Sequence, residues 1–250
     1  MHPILFKLGP ITIYTSGVFV FLGALVGYLV CRVEAKKEGI PEQTFLIIFF
    51  WSLVFGFLGG KIAYVLLVSR IFLNNPLSVV FSRGGFIYYG GIILGTFTIF
   101  ILTKKYKISF LKFADIAYLV VPLGLAFGRI GCFFYGCCYG KPTTSSIGIL
   151  FPRESPAGLL GVKVIPTQLI SAVFLLLLFF LLLFLKKKKK FNGQIFLAYI
   201  FFYGIFRFII EFYRGDSRQE VFSLSTSGFI SLILVILSIF LYFLWRRRPS

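Results

Sequence analysis

Charged side chains within long apolar stretches are the residues of this sequence best suited to chemistry. Arg129 lies in one such stretch, and Arg207, Glu211 and Arg214 lie in another. An arginine at mid-helix costs about 2.5–3.5 kcal/mol on membrane insertion, so its presence there indicates a function. Spacings of four and three residues put the second group on one face of a helix. Because a planar guanidinium suits bidentate phosphate binding, these residues predict an anion site at lipid-headgroup depth.

The same charges also have structural interpretations, which the sequence leaves open. Arg129 could extend its side chain to the membrane surface, and Arg207 could pair with Glu211 for helix packing alone. Glu211 could orient the arginines or accept a proton. Orientation is the simpler assumption, because a carboxylate one turn from each arginine stays ionised. Asp115, near the start of its apolar stretch, is interpreted as a helix cap and dipole partner.

The composition places these charges in a membrane protein. Of the 250 residues, 58% are hydrophobic and 14% are charged, whereas soluble domains carry about 25% charged residues. We predict an all-α integral membrane protein, a single polytopic membrane domain over 1–250 with about seven transmembrane helices. The predicted spans are 13–33, 45–69, 86–103, 114–131, 168–185, 194–213 and 227–245.

The net charge of +18 is a topological signal. Basic residues follow the first, third, fifth and seventh predicted spans, and the positive-inside rule makes those ends cytoplasmic. The N-terminus is then outside and the C-terminus cytoplasmic. This explains the five lysines at 186–190, with a dedicated anionic-lipid site as the alternative, and no nucleic-acid partner is predicted. The segment 133–166, rich in Gly and Pro, predicts an irregular external loop, cap or arm.

Glycines and cysteines near the spans have both structural and functional interpretations. Glycines four apart, such as Gly124 and Gly128, predict close helix packing, with backbone approach to a ligand as the alternative; the other pairs are Gly56 with Gly60 and Gly91 with Gly95. The glycine-rich stretch 83–91 could line a cavity. Cys132, Cys137 and Cys138 lack a local His or acidic partner and match no zinc pattern, so we predict no metal site. A disulfide or simple packing remains open for them.

The segment GRIGCFFYGCCYG at 128–140 resembles the signature of the bacterial prolipoprotein diacylglyceryl transferases. Further segments are similar to landmarks of that family in the same order along the chain. They are LGPI at 8–11, GGKIAY at 59–64, the glycine pairs at 84–85 and 90–91, PTQL at 166–169, and YGIFR at 203–207 followed by Glu211 and Arg214.

The resemblance implies a multi-pass enzyme of the bacterial plasma membrane with its active site facing the outer leaflet. Its donor would be phosphatidylglycerol, and its acceptor the lipobox cysteine of a prolipoprotein signal peptide. A thiolate would attack the glycerol carbon that bears the phosphate ester, form a thioether and release glycerol phosphate, without a cofactor. The implied catalytic residues are Arg129, Arg207, Glu211 and Tyr89; the implied phospholipid-binding residues are Arg129, Arg207, Arg214, Gly140 and Cys132.

The sequence also departs from the family pattern. Many members have Asn at Cys132, an acidic residue at Cys137 and His at Tyr89, and a Tyr side chain, with a reference pKa near 10, is a poor base at neutral pH. Two other functions therefore remain as alternatives. One is a lipid or anion transporter or flippase, which also uses intramembrane arginines and glycine-broken helices. The other is a non-catalytic member of the same family.

Overall fold

The computed structural model describes residues 4–8, 11–82, 85–215, 220–221 and 224–246. The predicted landmark residues Gly9, Pro10 and Gly84, and the basic residues Arg247 and Arg248, lie outside the described residues. The chain forms two compact units. One comprises Met1–Cys31 and Asp115–Ser250, and the other comprises Arg32–Ala114. The two boundaries fall within helices, and each unit is described separately below.

Seven long helices account for the apolar stretches, and each overlaps one predicted span. They are α1 (Thr15–Lys37), α2 (Glu42–Leu67), α5 (Tyr88–Lys105), α6 (Phe110–Tyr135), α7 (Thr167–Lys187), α8 (Gln194–Glu211) and α9 (Thr226–Arg246). Two short helices, α3 (Ser69–Asn74) and α4 (Pro76–Val80), were not predicted. The prediction of an all-α membrane protein is confirmed.

Six of these helices are long and apolar enough to cross a membrane, within the described part of the chain. The exception is α5, which matches the predicted span 86–103. It has 18 residues, so a full membrane-spanning window must include Lys104 and Lys105, and these lower its mean hydropathy. The chain is therefore a multi-pass membrane protein with six clear spans, and α5 as a seventh remains a prediction.

Short strands and an irregular loop connect the helices of the larger unit. Strands β1 (Ile4–Leu8) and β2 (Ile11–Tyr14) form an antiparallel hairpin before α1, and β3 (Glu220–Val221) pairs with β4 (Leu224–Ser225) before α9. The predicted loop 133–166 begins within the last turn of α6 and contains one 3₁₀ turn, Gly158–Leu160. Phe151, Ala157 and Val164 form a small buried core within it.

Glycines bring α2 and α5 together in the smaller unit. A Cβ on Gly59 would lie 2.4 Å from the carbonyl oxygen of Gly90, and one on Gly91 would lie 2.8 Å from that of Gly56. Such an approach requires residues without side chains, as the packing interpretation predicts. A Cβ on Gly85 would lie 2.1 Å from the Tyr64 ring. The described glycines of 83–91 are therefore closely packed, contrary to the suggestion that this stretch leaves an open backbone.

Asp115 stabilises a helix other than its own. Its carboxylate accepts hydrogen bonds from the backbone N–H groups of Gly193, Ile195 and Phe196 at 2.9–3.0 Å, and Lys189 Nζ lies 3.3 Å from Oδ2. These groups form the N-terminus of α8, where otherwise unpaired N–H groups favour a negative charge. The predicted capping role is thus correct in kind, but the capped helix is α8 rather than α6.

Replacing Asp115 with Ala should lower the free energy of unfolding by about 3 kcal/mol or more, because each unpaired buried donor costs about 1–3 kcal/mol. Thermal unfolding of the purified protein in detergent measures the effect. The matched control is Glu42→Ala, because Glu42 pairs with Arg32 on the surface and exposed pairs contribute about 0–1 kcal/mol. Equal melting temperatures for the two variants would contradict the capping role.

Candidate active site

Arg207 is buried near the C-terminal end of α8, where Glu211 and Ser227 are among its partners. It is 6% exposed. Its Nη1 donates to the Glu211 carboxylate one turn later, and its Nη2 donates to Ser227 Oγ on α9 at 2.9 Å. Ser227 in turn donates to Glu211 Oε1 at 2.8 Å. The three side chains form a network that positions the Arg207 guanidinium. The role of Glu211 in the reaction stays a prediction.

Arg129 differs from Arg207 in its partners. It lies in the penultimate turn of α6 and is half-buried. The groups that interact with it electrostatically are Tyr203, Cys138, Cys132 and Arg214. Among the described residues, no carboxylate forms an ion pair with Arg129. A half-buried arginine that forms no ion pair with a described carboxylate, near a second guanidinium, is suited to an anionic ligand.

Backbone pairing explains why Arg214 lies near Arg129. The segment after α6 pairs with the segment after α8: Gly140 forms a β-bridge with Arg214, Lys141 N donates to Tyr213 O at 2.9 Å, and Gly215 N donates to Tyr139 O at 3.1 Å. Arg214 is 7% exposed. The pairing therefore fixes a second cation next to the turn that follows Arg129.

Gly140 makes this pairing possible. A Cβ at Gly140 would lie 2.7 Å from both Cβ and the carbonyl oxygen of Ile165, and 2.8 Å from the carbonyl oxygen of Tyr213. No side chain fits between these two segments without moving backbone. Gly140 therefore has a structural role: because it has no side chain, its backbone can pair with Arg214 and fix the position of that residue.

Replacing Gly140 with Ala should lower the free energy of unfolding by about 1–3 kcal/mol, because overpacking against backbone forces the segments apart. It should also weaken anion binding near Arg214, because Arg214 moves with its segment. Thermal unfolding and titration with a phosphodiester in detergent measure the two effects. Gly17→Ala is the matched control, since a Cβ there meets nothing described within 4 Å. Unchanged stability and binding in Gly140→Ala would contradict this role.

Three cysteines come together beside Arg129. Cys132 is in the last turn of α6, and the chain then reverses through Gly136 and Cys138, whose φ angles are +79° and +60°. Thr167 Oγ1 donates to Cys138 O and Gln168 Nε2 donates to Cys137 O, both at 2.8 Å. The reversal brings the Sγ atoms of Cys132, Cys137 and Cys138 within 4.8 Å of one another. All four cysteines of the chain are free thiols.

The thiols of Cys137 and Cys138 differ in pKa. Hydrogen bonds from the thiols of Cys132 and Cys137 lower the pKa of the Cys138 thiol, and the guanidinium groups of Arg129 and Arg214 lower it further. Hydrogen bonds with Cys132 and Cys138, together with burial, raise the pKa of the Cys137 thiol. Negative charge in the cluster is therefore favoured at Cys138, next to the two arginines.

The remaining predicted residues have separate positions. Tyr89 lies in the first turn of α5, in the smaller unit, with its ring centroid 5.8 Å from that of Tyr88. Its catalytic role stays a prediction. Helix packing does not explain Gly128, because a Cβ there would meet no described atom within 4 Å. Within the described part of the chain, Gly128 instead borders open space one residue before Arg129.

The sequence did not identify Ser227 and Tyr203 as site residues. Ser227 lies in the first turn of α9, where serine is common as a capping residue, so its type gave no functional signal. Tyr203 precedes Arg207 by one turn on α8, and that spacing could have indicated it. Spacing alone could not show that Tyr203 interacts with Arg129, because the two residues are on different helices.

Comparison with known proteins gives one family. The family model described as "Prolipoprotein diacylglyceryl transferase" matches residues 3–244. Proteins named phosphatidylglycerol–prolipoprotein diacylglyceryl transferase are similar over the full length. The one from Clostridium tetani is 38% identical over 250 residues, which is the full length of both chains. One from Clostridium perfringens, numbered 2, is 37% identical over 97% of this chain and 94% of its own. The one from Shouchella clausii is 34% identical over 97% of this chain and 91% of its own.

Proposed function

The chain belongs to the prolipoprotein diacylglyceryl transferase family, and we propose that it transfers a diacylglyceryl group from phosphatidylglycerol to a prolipoprotein. The names of its relatives state this donor and this acceptor. The finer proposal is that the acceptor atom is the lipobox cysteine thiol of the signal peptide. Neither the family nor the names favour the alternative of a transporter or flippase.

The proximity of Arg129 and Arg214, with no carboxylate ion pair to Arg129 among the described residues, carries this proposal. Two guanidinium groups repel each other, and an anion between them turns that repulsion into attraction. A phosphodiester carries one negative charge and can accept bidentate hydrogen bonds from arginine. The phosphate of phosphatidylglycerol meets both requirements, and its acyl chains would extend into the bilayer.

The chemistry requires a thiolate and a stabilised leaving group. The acceptor thiol releases its proton to solvent, and its sulfur attacks the glycerol carbon that bears the phosphate ester. A C–S bond forms, the C–O bond breaks, and glycerol phosphate leaves with the added negative charge. Arg129 and Arg214 oppose that charge where it develops, which is the electrostatic contribution that typically dominates such catalysis. Nearby cations also lower the pKa of a thiol, so the same arginines favour the attacking thiolate.

The other residues support these two arginines. Arg207 is a third arginine, seven residues before Arg214, and it is kept in place by Glu211 and Ser227. Gly140 holds Arg214 against the turn after α6. Cys132 acts on the site through its electrostatic interaction with Arg129.

The charge pattern supports a cytoplasmic C-terminus and an active site open to the outer leaflet of the bacterial plasma membrane. With that orientation, Arg129, in the penultimate turn of α6, and Arg214, three residues after α8, would lie on the external side. The phosphate of an outer-leaflet lipid would be on the same side. The signal-peptide junction of an exported precursor also emerges there.

A mass measurement tests the reaction. A lipobox peptide incubated with the purified protein and phosphatidylglycerol should gain one diacylglyceryl group, and glycerol phosphate should accumulate in equal amount. A peptide with Ser in place of the lipobox cysteine should gain nothing, and phosphatidylethanolamine should not replace the donor. Movement of labelled phosphatidylglycerol across vesicles without any mass change in the peptide would instead support a flippase and contradict the proposal.

A further inference from the structure

We propose that Cys132, Cys137 and Cys138 form a binding site for one thiophilic metal cation, of which Zn²⁺ and Cd²⁺ are the probes. The three residues offer one Sγ each, and these atoms lie within 4.8 Å of one another. The site is built from the last turn of α6 and the reversal that follows it. The proposal concerns binding at this cluster and stands whether or not the chain transfers lipid.

The distances fit a three-thiolate site. A Zn–S bond of about 2.3 Å with tetrahedral or trigonal angles places neighbouring sulfurs about 3.8–4.0 Å apart. Sulfurs within 4.8 Å of one another therefore need to close by only about 1 Å at most, which side-chain rotation supplies. The spacing between Cys132 and Cys137 is unlike that of the known zinc motifs, so the sequence alone did not predict this site.

The surrounding backbone holds the ligands in position before a metal arrives. Cys137 N and Gly136 N both donate to Cys132 O, at 3.2 and 2.9 Å. The carbonyl groups of Cys138 and Cys137 accept hydrogen bonds from Thr167 and Gln168 at the start of α7. A Cβ on Gly136 would lie 2.6 Å from Ser155 Cβ, so the loop also closes over the reversal. A site fixed in this way loses little conformational entropy on binding.

The charges favour a cation with three thiolates. When the three thiols bind a dication, their protons are released to solvent and the complex carries one net negative charge. Arg129 interacts electrostatically with Cys132 and Cys138, and Arg214 with Cys138, so two guanidinium groups oppose that charge. An all-sulfur ligand set favours Zn²⁺, Cd²⁺ or Cu⁺ and disfavours Mg²⁺ and Ca²⁺, which require oxygen ligands.

Titration of the full-length, reduced protein with Cd²⁺ tests the site through the ultraviolet sulfur-to-cadmium charge-transfer absorption. We expect saturation at one equivalent, unaffected by excess Mg²⁺ or Ca²⁺. The triple variant Cys132→Ser, Cys137→Ser, Cys138→Ser should lose that equivalent. Cys31→Ser is the matched control and should keep it, because Cys31 is buried elsewhere with its Sγ 3.8 Å from Ile116 O. Absence of saturable binding by the unaltered protein, or equal binding by the triple variant, would overturn the proposal.

A second measurement avoids dependence on a variant that could misfold. Alkylation of the unaltered protein, followed residue by residue with mass spectrometry, should slow at Cys132, Cys137 and Cys138 when one equivalent of Cd²⁺ is present, while the rate at Cys31 stays the same. Equal rates with and without Cd²⁺ at the three cluster cysteines would also overturn the site. Neither readout depends on transferase activity, so failure of the metal site and failure of the proposed reaction can be distinguished.

Discussion

Replacement of Arg129 by Gln is expected to lower kcat/KM for diacylglyceryl transfer by about 10²–10³, the usual effect of removing one donor to a developing negative charge. The protein should fold as before. Arg129 has no ion-pair partner among the described residues and lies near a like charge, Arg214, so its loss should change the free energy of unfolding by no more than about 0.5 kcal/mol. Initial rates of peptide lipidation and thermal unfolding provide the two readouts.

Arg129→Lys and Arg153→Gln are the matched controls for this prediction. Lysine keeps the positive charge but loses the bidentate geometry, so we expect a rate between those of the unaltered protein and Arg129→Gln. Arg153 is an exposed cation in the loop 133–166, and its loss should leave the rate unchanged. If Arg129→Gln retained full activity, or lost activity only in step with lost stability, the anion-binding role would be wrong.

Arg207→Gln is expected to lower both stability and activity. Removing one member of a buried ion pair costs about 3–5 kcal/mol, because the other charge stays buried without compensation. Here that other charge is Glu211, which also accepts a hydrogen bond from the Ser227 hydroxyl. Thermal unfolding in detergent should therefore show a much larger loss than for Arg129→Gln, although both variants remove one arginine.

The double variant Arg207→Gln, Glu211→Gln separates structure from chemistry. Removing both charges eliminates the carboxylate that has lost its Arg207 partner, so most of the stability should return. If the Arg207 charge acts on the reaction, lipidation should stay low despite the recovered fold. Recovery of activity together with stability would show that Arg207 and Glu211 only hold α8 and α9 together. Unchanged stability in Arg207→Gln would contradict the network itself.

Prediction from the sequence was most accurate for long, continuous apolar stretches. Seven apolar stretches gave the positions of α1, α2 and α5 to α9 within a few residues, because about 20 apolar residues in a row have few other structures available. The paired strands β1 and β2 were missed since two short strands before a long apolar run give little periodic signal. The glycine pairs predicted the approach of α2 and α5 but failed at Gly128, where nothing described packs against the backbone.

The sequence predicted the charged residues of the candidate site but not the distant residues with which they interact. Insertion cost alone identified Arg129 and Arg207, and spacing predicted the pair of Arg207 with Glu211. The electrostatic interaction of Arg129 with Arg214 depends on backbone pairing of Gly140 with Arg214, which joins residues far apart in sequence. Asp115 likewise caps a helix 78 residues away. Such long-range partners leave no periodic trace in a single sequence.

Binding of phosphatidylglycerol, measured without turnover, tests the central claim that Arg129 and Arg214 hold the lipid phosphate. Native mass spectrometry of the protein released from mixed micelles can count the retained phospholipids. The unaltered protein and Arg153→Gln should each retain one phosphatidylglycerol in preference to phosphatidylethanolamine, and Arg129→Gln and Arg214→Gln should lose that preference. Retention of phosphatidylglycerol by both variants at the level of the unaltered protein would contradict the account.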